Sequence, residues 1–295
     1  MSKVSGHGGL GSRFEPHTEE NIMALTINNN VAALNAYRNL NTTQGELGKS
    51  LEKLSSGFRI NRAADDAAGL AISEGMRSQI GGIKMGIRNA QDGISVVQTA
   101  EGALNETTSI LQRMRDLTVQ GGNEGSLTTE ATANIQAEIT ALTTTLNDIS
   151  QNTKFNGTKL LDGAYTATFQ IGANADETVA LSVGDMSSAT LIGGLTALDG
   201  TNTTAKANLG MIDTAIKTVS TQRADLGAKQ NQLDHVINNA SVALENVTAS
   251  ESRIRDADMA QETLKFSRSQ ILSQAGTAML AQAKSIPQGV LQLLQ

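Results

Sequence analysis

From Leu226 to Ile254 the apolar residues keep to one heptad seam: Leu226, Leu233, Ile237, Ala240, Leu244, Val247 and Ile254, with Gln230 and Glu251 as polar exceptions. A seam of that period predicts a long helix lying along another helix. At a rise of 1.5 Å per residue, the run to Asp258 predicts a rod of roughly 50 Å. Little in the chain opposes such rods. Its only prolines among 295 residues are Pro16 and Pro287, and an interior proline is what most reliably breaks a helix. Aromatic residues make up 2% of the chain and Trp is absent, so the core is expected to be thin layers of Leu, Ile, Val and Ala between helices.

Stripes of the same kind recur elsewhere. Near the beginning, Ile27, Val31, Leu34, Leu47, Leu51, Leu54 and Phe58 follow steps of three and four, with Asn30 placed to cap the helix and Gly57 to stop it. A non-helical connector is expected over INRAADD. Next come Met76, Ile80, Ile83, Ile87, Ala90, Ile94, Val97, Leu104, Leu111 and Leu117, ending at the turn GGNEGS. Ile135, Ile139, Leu142, Leu146 and Ile149 make a further stripe, expected to lie antiparallel to the one before it. The tail carries Leu264, Leu272, Ala275, Met279, Ala283, Ile286, Val290 and Leu293, interrupted by Arg268 and expected to break or bend near Pro287. Strand character is confined to ATFQIGA and ETVALSV, which with the ANAD turn predict a β-hairpin near residues 165–185. The fold class is therefore mainly α: a long antiparallel coiled-coil or helix-bundle hairpin with a small β-hairpin in mid-chain.

Several functions fall away on composition and motif. Acids and bases are interspersed around a formal charge of −6, which offers no footprint for nucleic acid or anionic lipid. No stretch approaches the roughly 20 apolar residues of a membrane span. Zero cysteine excludes disulfides, thiolate nucleophiles and Cys-based zinc sites. His7 and His17 lie in a Gly-, His- and Ser-rich leader, and His235 has no HExxH partner, so no metal site is expected. Asp65 and Asp66 are adjacent and read as connector or first-turn acids rather than a catalytic pair. No GxSxG elbow occurs, and the GxGxxG at Gly6, Gly8 and Gly11 has no room for the strand that motif requires. No enzyme, cofactor or catalytic residue is expected. Residues 1–22 are expected to be a disordered leader or a mis-assigned start, Met23 followed by ALTINNN reading as the more natural one.

Apolar stripes at both ends of a chain must be covered. Burying each Leu or Ile contributes about 1.5–3 kcal/mol, and stripes left in water invite aggregation. Pairing the two ends hides part of this surface and neighbouring copies hide the rest, so the pattern points to a polymer, with a dimer the alternative that periodicity alone leaves open.

Two blocks of sequence carry a family resemblance. KLSSGFRINRAADDAAGLAISEGMRSQIGG, Lys53 to Gly82, continuing through NAQDGISVVQTAEGALNE to LQRMRDLTVQ, closely resembles the N-terminal signature of bacterial flagellins. SRIRDADMAQET and SQILSQAGTAMLAQAKSIPQGVLQLL, from Ser252 onward, resemble the C-terminal signature. The resemblance implies a minimal flagellin: residues 23–66 with 255–295 as a terminal coiled-coil domain lining the filament interior, 67–198 with 208–254 as a helical rod domain, and 199–207 as a residual variable loop. It implies an extracellular homopolymer in the flagellar filament, and export through the flagellar apparatus with a secretion chaperone on the C-terminal stripe. Filament cap and hook-junction proteins are the further partners it implies. A hook-filament junction protein would share the end motifs but usually lacks the continuity from LQRMRDLTVQ to the hairpin. Terminal assembly is then assigned to Ile27, Val31, Leu34, Leu47, Leu51 and Leu54 with Leu272, Ala275, Met279, Ala283, Ile286, Val290 and Leu293. Leu111 to Gln120 also resembles the patch read by the toll-like flagellin receptor, with Arg113, Leu117 and Glu138 at the matching positions; contact between subunits is the alternative role for the same residues.

Overall fold

The computed structural model describes residues 29–125 and 127–293, with side chains described to Ser285 in the last helix. The leader at 1–22 and Ile27 lie outside the described residues, as do the side chains of Ile286, Val290 and Leu293. The chain divides into two compact units: residues to Arg59 with Ala257 onward, and Ile60–Asp256.

In the first unit, helix α1 (Val31–Ser56) pairs with helix α6 (Met259–Leu293). Asn30 caps α1 by accepting the Ala33 N–H at 3.0 Å, and Gly57 ends it in the left-handed conformation at φ 75°. The expected break at Pro287 does not occur. Helix α6 runs through it, and the reason lies on the neighbouring helix. Proline has no N–H to give to the carbonyl four residues back, Ala283, and the Asn30 side-chain amide donates there at 2.7 Å instead.

The second unit is built on α2 (Ala67–Gly121) and α5 (Asn202–Arg255), which pair along their length, with α3 (Thr129–Asn152) laid against α2. Each of the two long helices spans about 80 Å by its residue count. Asp66 caps α2 through the Gly69 N–H at 2.8 Å, while Asp65 accepts the Asn61 and Arg62 N–H groups at 3.1 and 3.0 Å. Both acids are thus turn and cap residues. The main core brings together Leu104, Leu111 and Met114 of α2, Ile139 and Leu146 of α3, and Ile212, Val219 and Leu226 of α5. A smaller cluster of Ala90, Val179 and Leu233 sits beside it.

The predicted hairpin is present as β3 (Thr166–Gln170) antiparallel to β4 (Thr178–Ser182), with Thr168 opposite Ala180. A second, smaller hairpin pairs β1 (Lys154–Phe155) with β2 (Thr158–Lys159) around Asn156 and Gly157, whose φ values of 48° and 82° mark a two-residue turn of the primed class. One short helix, α4 (Ser188–Ile192), follows and seals the core with Leu191 and Ile192. Both features were unanticipated. The segment read as a loop over 199–207 is helical from Asn202, because the Thr201 side chain accepts the Thr204 N–H and starts α5 there.

Candidate assembly and recognition surfaces

Along α1 the inward positions are Ala33, Ala36, Leu40, Thr43, Leu47, Ser50 and Leu54; along α6 they are Glu262, Phe266, Ser269, Ser273, Gly276, Leu280 and Ala283. Both sets step by three and four, as a two-helix seam requires. Their members are mostly small, which lets the helices approach closely: a Cβ on Gly276 would meet the Leu40 side chain at 3.2 Å.

Leu40, Leu47, Leu54, Phe266 and Leu280 also face this seam, but a second set of large apolar side chains points elsewhere. Of the sequence-assigned assembly residues, Leu47 and Leu54 are half-buried in the seam and Ala283 is buried. Val31, Leu34, Leu51, Leu272, Ala275 and Met279 are exposed. Tyr37 joins them on α1, and Leu264 (72% exposed) and Ile271 (66%) on α6. The subunit's own helix pairing therefore takes up the small residues with some of the large ones and leaves ridges of further large ones in solvent. A groove of about 390 Å³ runs between the helices, walled by Ala36, Leu40 and Thr43 on one side and Leu272, Gly276 and Met279 on the other.

Besides the Asn30–Ala283 bond, a buried side-chain pair fixes the register of this seam. The buried Ser50 hydroxyl donates to Glu262 Oε1 at 2.7 Å, and Lys265 Nζ reaches Oε2 at 3.2 Å. Burial pushes the Glu262 carboxyl up, but Ser50, Lys265 and the more distant Lys53 outweigh it, leaving the group below its ordinary value of 4.5. A carboxylate held low in the folded state contributes stability above the unfolded value and loses it as pH falls through the folded one. The α1–α6 pairing should accordingly loosen below about pH 4.5, and Ser50→Ala, which strands a buried acceptor, should weaken it by about 1–2 kcal/mol at neutral pH. Hydrogen exchange of α1 and α6 amides as a function of pH measures both effects.

In the second unit, Arg113 and Glu138 form an ion pair from α2 to α3: Nη2 lies 2.7 Å and Nε 2.9 Å from Oε1. Both remain about half exposed. Leu117 does not share their surface; at 2% exposure it belongs to the core, because α2 turns that position toward α3 and α5. The exposed apolar neighbour is Val119. A second pair, Arg115 to Asp213 at 2.7 Å, ties α2 to α5, and the pairing keeps the guanidinium charged. Toward the far end of the same helices, Arg255 donates to Glu74 at 2.6 Å, which together with Arg77 holds that carboxyl below its ordinary range. Asn30 and the Ser50–Glu262 pair are seam contacts that periodicity does not mark: a cap residue opposite a proline's orphaned carbonyl, and a hydroxyl and carboxylate at seam positions, are the available signals. Among the described residues no group of three or more His, Cys, Asp or Glu could hold a metal ion.

The chain matches the family model for the bacterial flagellin N-terminal helical region over residues 27–166 and that for the C-terminal helical region over residues 209–294. It is 51% identical to the flagellin of Bacillus subtilis, an alignment taking in 92% of this chain and all of that protein. It is 45% identical to the flagellar filament 33 kDa core protein of Treponema phagedenis, over the same share of each. Among solved structures, Bacillus cereus flagellin aligns at 31% identity and a TM-score of 0.47, over 52% of this chain and 88% of that one.

Proposed function

The chain belongs to the bacterial flagellin family, and on that premise we propose that it is a structural subunit of the extracellular flagellar filament, polymerising through the ridges that α1 and α6 leave uncovered. The observation carrying this reading is the division of labour in the first unit. Small residues interleaved with Leu40, Leu47, Leu54, Phe266 and Leu280 satisfy the intramolecular seam, while Leu264, Ile271, Leu272 and Met279 stay in water, a state unfavourable for a free monomer and relieved by neighbouring copies. Residues 23–66 with 255–295 then form the inner layer and the α2–α3–α5 rod the surrounding one. Passage through the flagellar export apparatus, a chaperone shielding the C-terminal helix, and filament cap and hook-junction proteins complete the partners of this reading. Negative-stain microscopy of purified full chain, seeded with filament fragments, tests it: elongation from the seeds is expected, and persistent monomers with intact ends would count against it.

A second reading concerns the free monomer. The half-exposed Arg113–Glu138 pair presents a guanidinium and a carboxylate on adjacent helices, a polar anchor suited to recognition by the toll-like flagellin receptor. Arg113→Ala should reduce receptor signalling by soluble monomer about tenfold or more while leaving the fold intact, since an exposed ion pair adds little stability. Unchanged potency in a cell reporter assay would remove the assignment.

A further inference from the structure

Of the nine methionines, Met114 and Met186 are sealed in the core, and Met76 and Met211 are half-buried. Met85 is exposed but its sulfur accepts a hydrogen bond from Arg88, which draws on its lone pair. Met259 opens α6 and is about half exposed. Met279 differs from all of these. It is 64% exposed, no described side chain donates to its sulfur, and it forms one wall of the apolar groove between α1 and α6.

A thioether in that position has two incompatible requirements. As an apolar, flexible side chain it suits a ridge that a second copy of the chain covers. As an accessible sulfur it is open to two-electron oxidation, which makes it polar and chiral. We propose that Met279 is an oxidation site: a peroxide-class oxidant converts its thioether to the sulfoxide in the free subunit, and the modified subunit is excluded from the polymer. In the step, the sulfur lone pair attacks one oxygen of hydrogen peroxide, the O–O bond breaks as the S–O bond forms, and the proton on the transferred oxygen passes to the departing hydroxide, which leaves as water. Sulfur loses two electrons and the peroxide gains them. The exclusion follows from the groove's lining. It is mostly apolar (Ala36, Leu40, Leu272, Gly276), with Asn39 and Thr43 as its side-chain donors, so a covered sulfoxide oxygen must win one of those two donors or go without a partner, whereas the thioether needs neither. Covered within a polymer, the same sulfur is protected. The site thus distinguishes free from assembled subunits.

The inference rests on the assembly reading above, and the test separates the two. Full-chain monomer is treated with hydrogen peroxide until about half of Met279 is oxidised, a ratio set by peptide mass spectrometry, and then added to filament seeds. After growth, filaments and supernatant are separated and the sulfoxide content of Met279 is measured in each. Depletion in the filaments by about tenfold is expected, the scale set by burying a polar group where an apolar one was covered before. Equal sulfoxide content in the two fractions overturns the inference while leaving assembly standing. Untreated subunits that fail to elongate the seeds take both down. In parallel, the ratio of elongation rates after and before peroxide should fall for the natural chain and stay near one for Met279→Leu, whatever that variant's own rate. An equal fall in both places the damage at another methionine and overturns the assignment.

Discussion

Replacing Gly86 with alanine should destabilise the isolated subunit by about 2–3 kcal/mol, the opposite sign from the helix-propensity scale, on which alanine gains about 1 kcal/mol over glycine in a helix interior. Gly86 is buried within α2 where the β3–β4 hairpin lies down on it. An added Cβ would stand 2.3 Å from the carbonyl oxygen of Ile171 and 2.5 Å from its carbon. These are backbone atoms that no rotamer change can move. Nearby, a Cβ on Gly82 would meet that of Ala173 at 2.6 Å, and the Asn89 side chain donates to the Gln170 carbonyl at 2.8 Å. Accommodating the methyl group therefore means lifting the hairpin tip and breaking that hydrogen bond. Gly102 supplies the control. It lies in the same helix with nothing within 4 Å of its virtual Cβ, so Gly102→Ala should stabilise by about 0.5–1 kcal/mol. Denaturant unfolding of the two variants as monomers checks the reversal; shifts of the same sign in both would mean that the glycine notch does not seat the hairpin.

Converting Leu264 and Ile271 together to glutamine should abolish filament growth at concentrations where the natural chain elongates. The two positions are seven residues apart, so they share one side of α6, and both are largely exposed in the subunit. The monomer should hardly notice the change, since surface substitutions of this kind stay within about 0.5 kcal/mol. In a polymer that covers the ridge, each lost apolar side chain removes about 1.5–3 kcal/mol, and the pair raises the concentration needed for growth by about 10²- to 10⁴-fold. Sedimentation of seeded mixtures, with circular dichroism to verify unchanged helix content, reads the effect. Normal elongation by the double variant would place the assembly contacts on another face.

The contrast between seam and ridge also marks where reading the sequence succeeded and where it stopped. The helical class, the middle hairpin, the Asn30 cap and the Gly57 stop were legible because each rests on local chemistry: a period, an amide oxygen, a residue free to take positive φ. The face that α1 and α6 turn toward each other was not. A stripe drawn through the large apolar residues catches Leu47 and Leu54 in the seam but elsewhere passes along the outside, because close approach of the two helices places Ala33, Ala36, Ser273 and Gly276 inward and leaves Leu34 and Met279 exposed. Leu117 illustrates the converse: its resemblance to a recognition residue is local, but its position on the core side of α2 is tertiary. The small β1–β2 hairpin had a readable signal, Asn-Gly flanked by strand formers, in a segment too short for periodicity to reveal. The continuity of α6 through Pro287 had none, since the donor that makes it possible sits 253 residues from the carbonyl it satisfies.

That last separation is the outermost of a graded series. The ion pair between Arg115 and Asp213 joins residues 98 apart in sequence, Arg255 to Glu74 spans 181, and Ser50 to Glu262 spans 212. Closing a larger loop costs more chain entropy, so contacts that enclose others form cheaply only after the inner ones have drawn their ends together. The molecule is in this respect a zipper whose slider starts at the middle of the chain. Its paired end helices α1 and α6 are the last to meet when it folds, so in the assembly proposed above the surface that neighbours would cover lies on the part that a newly arrived subunit could rearrange without undoing the rest.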